Sequence, residues 1–167
     1  MALSSLRSRR FSGQSVEILE KYVAFRLRAA WFVLPITAIY RVLSLADKKV
    51  PKVEFMGKSV LLIDVGKLLF GKDPIKPAAP LILNGSPVAN QPSLIIISDR
   101  NGIMISIPSN SQPALLRLSQ SQFLPLPPTL AHRWQVDFIS GMTKPIEERP
   151  ALFAIDPNQL KAISIPN

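Results

Sequence analysis

The chain has 167 residues, enough for one domain or for two small lobes that share a boundary. Hydrophobic residues make up 47% of it, which excludes global disorder, and the absence of cysteine excludes a disulfide framework, a thiol nucleophile and thiolate metal sites. The formal net charge of +9 favours acidic partners, such as nucleic acid, an anionic membrane or an acidic protein surface.

The first residues are basic and polar. Segment 1–15 is rich in serine and arginine, and we predict a disordered basic tail there; an organelle transit peptide is the alternative. Ser15 to Lys21 lacks strand alternation, which predicts a short helical lead-in. We expect residues 16–167 to form a single domain.

One strand pattern occurs twice in the chain. Segments 21–27 and 30–35 predict two strands in the first half, and segments 93–98 and 103–108 predict two strands in the second half. Each pair ends at a proline, Pro35 or Pro108, and the apolar runs are typical of strands buried on both faces. A two-lobed β scaffold would explain such a repeat.

Each strand pair is followed downstream by a second matching unit. Asp64 comes directly after the apolar strand 60–63, and Asp156 comes directly after the apolar strand 152–155. A carboxylate at this position can accept a backbone N–H bond two or three residues further on, so we predict helix caps rather than catalytic groups. The leucines that follow are expected to return to the core: Leu68, Leu69 and Leu160.

The remaining segments predict short elements and connections. Apolar residues in 36–43 have helical spacing, which predicts a helical turn after the first strand pair. Segment 71–92 is rich in proline, glycine and lysine and predicts a long connection with one short strand at 81–83. Segment 115–123 predicts a further strand or turn, and 124–128 predicts a stiff extended crossing.

The sequence contains no set of residues with the spacing of a catalytic or metal site. His132 is the only histidine, and no second ligand or acid lies near it in the sequence. We therefore predict no enzyme activity, no catalytic residue, no metal, no cofactor and no small-molecule substrate. The longest apolar stretch, 29–39, has 11 residues and is far shorter than the roughly 20 of a membrane helix, so we predict no membrane insertion.

The aromatic residues argue against a nucleic-acid surface. They lie within apolar strands rather than between basic residues, which predicts a place in the core: Trp31, Phe32, Phe55, Phe138 and Phe153. A stacking platform for bases would instead need exposed aromatic rings in a basic groove. A small basic β-barrel that binds single-stranded nucleic acid is therefore disfavoured but stays the alternative hypothesis.

Four motifs, in order, resemble the CheW-like domain over roughly residues 20–162. They are Val33-Leu34-Pro35-Ile36 with Ile39-Tyr40-Arg41-Val42, Leu61-Leu62-Ile63-Asp64-Val65 after Gly57, the hairpin Leu94–Ile107, and Phe138-Ile139-Ser140-Gly141-Met142 before Leu152–Leu160. The resemblance implies an all-β fold with short helices, in which two five-stranded SH3-like barrels pack around a hydrophobic groove. We expect lobes at about 20–75 and 93–162, joined by 71–92, and strand exchange between them stays open.

The resemblance also implies a function. Proteins of this family are non-catalytic adaptors that couple a chemoreceptor-type or photoreceptor-type sensor tip to a CheA-type histidine kinase. We therefore expect a cytoplasmic two-component signalling adaptor, recruited to membrane receptor arrays, in chemotaxis, phototaxis or type IV pilus twitching motility.

The chain departs from the family pattern at three places. Glu54-Phe55-Met56 stands where many members have Asn-Leu-Arg, Arg41 stands where an acid is common, and Pro108-Ser109-Asn110-Ser111 replaces an acidic Val-Asp motif. With the positive net charge, these departures predict a specialised partner with an acidic face. By motif position, we expect partner contacts at six residues: Ile36, Ile39, Arg41, Glu54, Met56 and Lys58.

Overall fold

Two β-sheets organise the fold. The computed structural model describes residues 17–45, 54–55, 57–71, 79–98, 102–146 and 149–164. In these residues the strands are β1 (Leu19–Leu27), β2 (Ala30–Pro35), β3 (Ile39–Ser44), β4 (Glu54–Phe55), β5 (Lys58–Ser59), β6 (Leu61–Leu62), β7 (Ile82–Leu83), β8 (Ser86–Pro87), β9 (Ser93–Ser98), β10 (Met104–Ser109), β11 (Ala114–Ser119), β12 (Phe123–Leu124), β13 (Ile139–Thr143) and β14 (Leu152–Ile155). The helices are α1 (Val65–Phe70), α2 (Pro128–Trp134) and α3 (Pro157–Ser164). None of the helices described is long and apolar enough to cross a membrane.

The two main sheets each contain strands from both halves of the chain, whereas β4-β5 and β7-β8 are separate two-stranded hairpins. The larger sheet has the order β11-β1-β2-β14-β13-β12, and the smaller one has the order β3-β9-β10-β6. The hairpin β1-β2 thus pairs with strands from the second half, and the hairpin β9-β10 pairs with strands from the first half. The all-β prediction is confirmed, and the two curled sheets form two lobes consistent with SH3-like barrels.

The sequence repeat is also a repeat of strand register. The second strand of each hairpin has a parallel neighbour from the other half, β14 beside β2 and β6 beside β10. Phe153 lies opposite Phe32, and Leu61 lies opposite Ile105, which is the position equivalent to Phe32 in the second hairpin. The same register therefore carries Asp156 and Asp64 to equivalent places at the ends of the two parallel strands.

The hairpin β1-β2 separates two hydrophobic clusters. Phe32 and Leu34 face a cluster shared by the two sheets, whereas Trp31 and Val33 face a cluster within the larger sheet's lobe. These four side chains of β2 are at most 2% exposed. Because successive side chains of a strand point to opposite faces, a strand that separates two cores must be apolar throughout. The prediction that these runs are buried on both faces is confirmed for β2.

Both aspartates cap helices, as the sequence predicts. The Asp64 carboxylate accepts the backbone N–H of Lys67 at 3.0 Å, and the Asp156 carboxylate accepts that of Asn158 at 3.0 Å. Leu69 and Leu160 are buried, but Leu68 is 52% exposed, so its predicted return to the core is wrong. Neighbouring helical residues point about 100° apart, and in this helix Leu69 faces the core while Leu68 faces solvent.

Removal of the first cap should cost stability without changing the fold. We expect Asp64→Ala to lower the free energy of unfolding by about 1 kcal/mol, because the Lys67 N–H loses its acceptor at the start of α1. Asp64→Asn keeps a side-chain oxygen and should lose much less, which makes it the matched control. Urea unfolding of the three proteins measures the difference; equal stability of the alanine and asparagine variants would contradict the capping role.

Long-range pairing and packing correct two local predictions and account for one helix that was not predicted. The helical lead-in is wrong from Leu19 onward, because that residue already pairs with β11 as a strand. The helical turn after Pro35 is confirmed only as the 3-10 turn Ile36–Ala38, since residues 39–44 pair with β9 as β3. Helix α2 is not predicted from the sequence; it is anchored by Trp134, whose ring packs against aromatic rings of the core.

Candidate functional site

The repeat creates two clefts at equivalent places in the fold. We call the larger one, of about 510 Å³, the open cleft; it is lined by Pro35, Thr37, Ala38, Ser98, Asp156, Pro157 and Asn158. We call the smaller one, of about 130 Å³, the closed cleft; it is lined by Leu27, Arg28, Asp64, Gly66, Pro108 and Asn110. In each cleft a proline that ends a hairpin faces a capping aspartate from the other half of the chain.

Arg28 and Asn110 line the closed cleft and are linked by a hydrogen bond. The Arg28 backbone N–H donates to Asn110 Oδ1 at 2.6 Å, and the Asn110 N–H donates to the Arg26 carbonyl at 2.8 Å. The Arg28 side chain lies over Gly66. A Cβ atom added at Gly66 would be 3.4 Å from Arg28 Cγ. These contacts fix the wall of the closed cleft, whose volume is much smaller than that of the open cleft.

Buried serines fix the backbone next to the closed cleft. The hydroxyls of Ser93 and Ser109 donate to the Ser111 carbonyl at 2.8 and 2.9 Å, and Ser111 Oγ accepts the Arg26 N–H at 2.9 Å. Burial lowers the pKa of the Arg26 guanidinium, whose Nη1 donates to the Arg28 carbonyl at 2.8 Å. The serine-rich segment after Pro108 therefore holds the end of β10 to Arg26 on β1 and to Ser93 on β9.

The open cleft has different residues at the same positions of the repeat. Ile36, Thr37 and Ala38 stand where Ser109, Asn110 and Ser111 stand in the second copy. Ile36 is 39% exposed, so its aliphatic side chain is accessible to a partner. The first copy thus leaves an accessible cleft with an apolar rim.

Strand β3 extends this rim along the edge of the smaller sheet. It is the terminal strand of that sheet, and a register shift separates Ile39 from Arg41 where they pair with β9. Ile39 is half-buried against the core, Tyr40 is 48% exposed and Arg41 is exposed. A bulged edge strand with an exposed aromatic ring and a cation can contact a protein surface that has apolar and acidic groups.

The structure brings three of the six predicted contact residues together. Ile36, Ile39 and Arg41 lie on the turn and edge strand beside the open cleft. Glu54 and Lys58 lie on the separate hairpin β4-β5, for which only the backbone pairing is described, and Met56 lies outside the described residues.

Sequence reasoning missed the far wall of the open cleft. Ser98 comes from β9, and Asn158 comes from the first turn of α3. Tyr40 is part of a quoted motif, but only its exposure in the fold marks it as a surface residue. The repeat itself was the available signal, since it places Asp156 opposite Pro35 as it places Asp64 opposite Pro108.

The aromatic residues of the apolar strands lie in the core wherever their side chains are described. Four of the five residues considered have described side chains and are buried: Trp31, Phe32, Phe138 and Phe153. The Trp31 indole N–H donates to the Ala79 carbonyl at 2.8 Å, and the Phe32 ring lies 5.6 Å from the Phe153 ring. The prediction that these four residues lie in the core is confirmed. Their rings are therefore not available to stack on the bases of single-stranded nucleic acid.

Comparisons with known proteins agree with this architecture. The family model for the CheW-like domain matches residues 21–162. Among solved structures, the chain is similar to the scaffolding protein TtCheW from Thermoanaerobacter tengcongensis, with a TM-score of 0.54 and 16% sequence identity. That alignment covers 84% of this chain and 86% of the other one. No curated protein matches the chain in sequence.

Proposed function

Because the chain belongs to the CheW-like domain family, we propose that it is a non-catalytic adaptor that couples a receptor-type sensor to a CheA-type histidine kinase. The single observation that carries the proposal is the family match over nearly the whole described fold, residues 21–162. The adaptor works in a bacterial taxis or type IV pilus motility pathway, in the cytoplasm beside receptor arrays. Chemotaxis is the general role that the family supports.

The open cleft and the β3 edge are the proposed partner surface. An adaptor needs an accessible, partly apolar surface whose exposure has a cost in the free protein, and Ile36 and Tyr40 meet this requirement. The hairpin β4-β5, with Glu54, Met56 and Lys58, is the second proposed contact region on sequence grounds.

The partner of this surface has an acidic face. Arg41 is exposed next to the apolar rim, and the chain carries 20 basic residues against 11 acidic ones. Complementary charge of this kind accelerates association and selects among partners more than it adds affinity.

The proposal is tested by recovery of partners from the native cell. The tagged chain is expected to recover a CheA-type histidine kinase and a receptor with a cytoplasmic signalling tip. The matched control is the same chain with Arg41→Glu, which keeps the fold because the residue is exposed and should recover less of the partner that contacts β3. Recovery of neither a kinase nor a receptor by the unaltered chain would refute the adaptor function.

A further inference from the structure

The connection between β12 and α2 exposes three prolines that take no part in the proposed adaptor surface. Pro125 and Pro127 are exposed between the two elements, and Pro128 is exposed at the start of α2. We call residues 123–128, which run from β12 into α2, the proline segment. None of its residues lines the open cleft, so the segment is a second accessible surface with its own chemistry.

The backbone of the proline segment is extended up to the point where α2 begins. Pro127 has φ −57° and ψ 144°, which lies close to the polyproline II values of about −75° and +145°. A proline ring fixes φ at about −65°, and a residue before proline is restricted to extended conformations, as are Leu124 and Leu126 here. Strand β12 therefore continues as a polyproline II chain as far as the first turn of α2.

Exposure along the proline segment has a period of three residues. Phe123 and Leu126 are half-buried, whereas the two residues that follow each of them are exposed. Phe123 packs against the hydrophobic cluster of the larger sheet's lobe, and Leu126 packs against the cluster shared by the two sheets. A strand alternates with a period of two, but a polyproline II helix has three residues per turn and places residues i and i+3 on one edge. One edge thus holds the segment to the protein, and the other two edges face solvent.

The two free edges combine apolar rings with open carbonyl groups. Leu124 and Pro127 share one edge, and Pro125 and Pro128 share the other, because each pair is three residues apart. The carbonyl oxygens of Pro125 and Leu126 accept no hydrogen bond from the described residues. They are therefore open to the indole N–H of a tryptophan or the O–H of a tyrosine, whose rings can cover the prolines at the same time.

The fold holds both ends of the proline segment. Pairing of β12 with β13 fixes one end, and at the other end the Pro127 carbonyl accepts the Ala131 N–H of α2 at 3.0 Å. A ligand that is fixed in its bound conformation loses less conformational entropy on binding. We propose that the proline segment is a docking ligand for a partner domain whose groove is lined by aromatic side chains. Such grooves bind polyproline II chains in which two prolines are three residues apart, the spacing of Pro125 and Pro128.

Site-specific cross-linking in the native cell, followed by competition, tests the proposal. Photoreactive p-benzoylphenylalanine replaces Thr129, which is exposed directly after the proline segment. We expect a cross-link to a protein with an aromatic-lined groove, and an oligoproline peptide should displace the chain from that purified protein because it forms the same helix. The absence of a cross-linked protein, or a complex that oligoproline leaves intact, would overturn the proposal. Either result leaves the adaptor function standing, since the segment shares no residue with the open cleft.

Matched variants separate recognition of the proline segment from a general loss of structure. Pro125→Ala and Pro127→Ala each remove one exposed ring, from different free edges, and each should weaken binding of the cross-linked protein by about tenfold. Pro87→Ala removes an exposed proline of β8, outside the segment, and should leave the affinity unchanged. Circular dichroism checks that all three variants keep the fold. Unchanged affinity of both segment variants, or equal weakening by Pro87→Ala, would refute the docking role.

Discussion

Phe32→Ala should lower the free energy of unfolding by about 3–5 kcal/mol, a large part of the stability of a domain of this size. The Phe32 ring is fully buried, and its centroid lies 5.6 Å from that of Phe153 and 6.3 Å from that of Trp134. These rings belong to β2, β14 and α2, so one ring joins elements from both halves of the chain. Truncation leaves a cavity that three separate elements cannot easily close.

The measurement is chemical unfolding followed by tryptophan fluorescence. Domains of this size are stable by only about 5–15 kcal/mol. Phe32→Ala should therefore strongly lower the denaturant concentration at the midpoint of unfolding. Leu115→Ala is the control, because Leu115 is 54% exposed on β11 and its loss should cost no more than about 0.5 kcal/mol. A similar small loss for both variants would contradict the place of Phe32 at the junction of the two sheets.

Ile36→Asp should weaken binding of a partner at the open cleft by about 10- to 100-fold while the fold stays intact. A charged group placed in a desolvated apolar contact has no counter-charge there and also repels an acidic partner face. Because Ile36 is 39% exposed in the free chain, its replacement should shift the unfolding transition very little. Titration calorimetry with the purified kinase and with the receptor tip measures both affinities.

The control for this substitution has the same chemistry at another place. Leu115→Asp puts an aspartate at an exposed leucine on an edge strand of the larger sheet, at a residue that does not line the open cleft. It should leave both affinities within about twofold, because the added charge does not line the open cleft. If Ile36→Asp leaves both affinities unchanged, the open cleft is not the partner surface, although another surface could still serve the adaptor.

Local chemistry made part of this fold predictable. The unbroken apolar run of β2 indicated burial on both faces, and Asp64 and Asp156 indicated helix caps, because each depends on residues only a few positions away. The exchange of strands between the two sheets depends on partners far along the chain. Strand β3 illustrates this limit, since its helical spacing was overridden by pairing with β9.

The candidate site shows the same contrast between residues that the local sequence can identify and residues that only the fold brings together. Ile36, Ile39 and Arg41 are close in sequence, so a motif could nominate them together. The far wall of the open cleft, with Ser98 and Asn158, required the fold.

The most direct test of the adaptor function is a three-component assembly. Receptor cytoplasmic fragments on vesicles, the CheA-type kinase and this chain are combined, and the kinase that sediments with the vesicles is measured with and without the chain. We expect kinase recruitment to depend on the chain and to fall when the Ile36→Asp variant replaces it, but not when the Leu115→Asp variant does. Kinase recruitment that is unaffected by the chain, with no binding of the chain to either protein alone, would contradict the account.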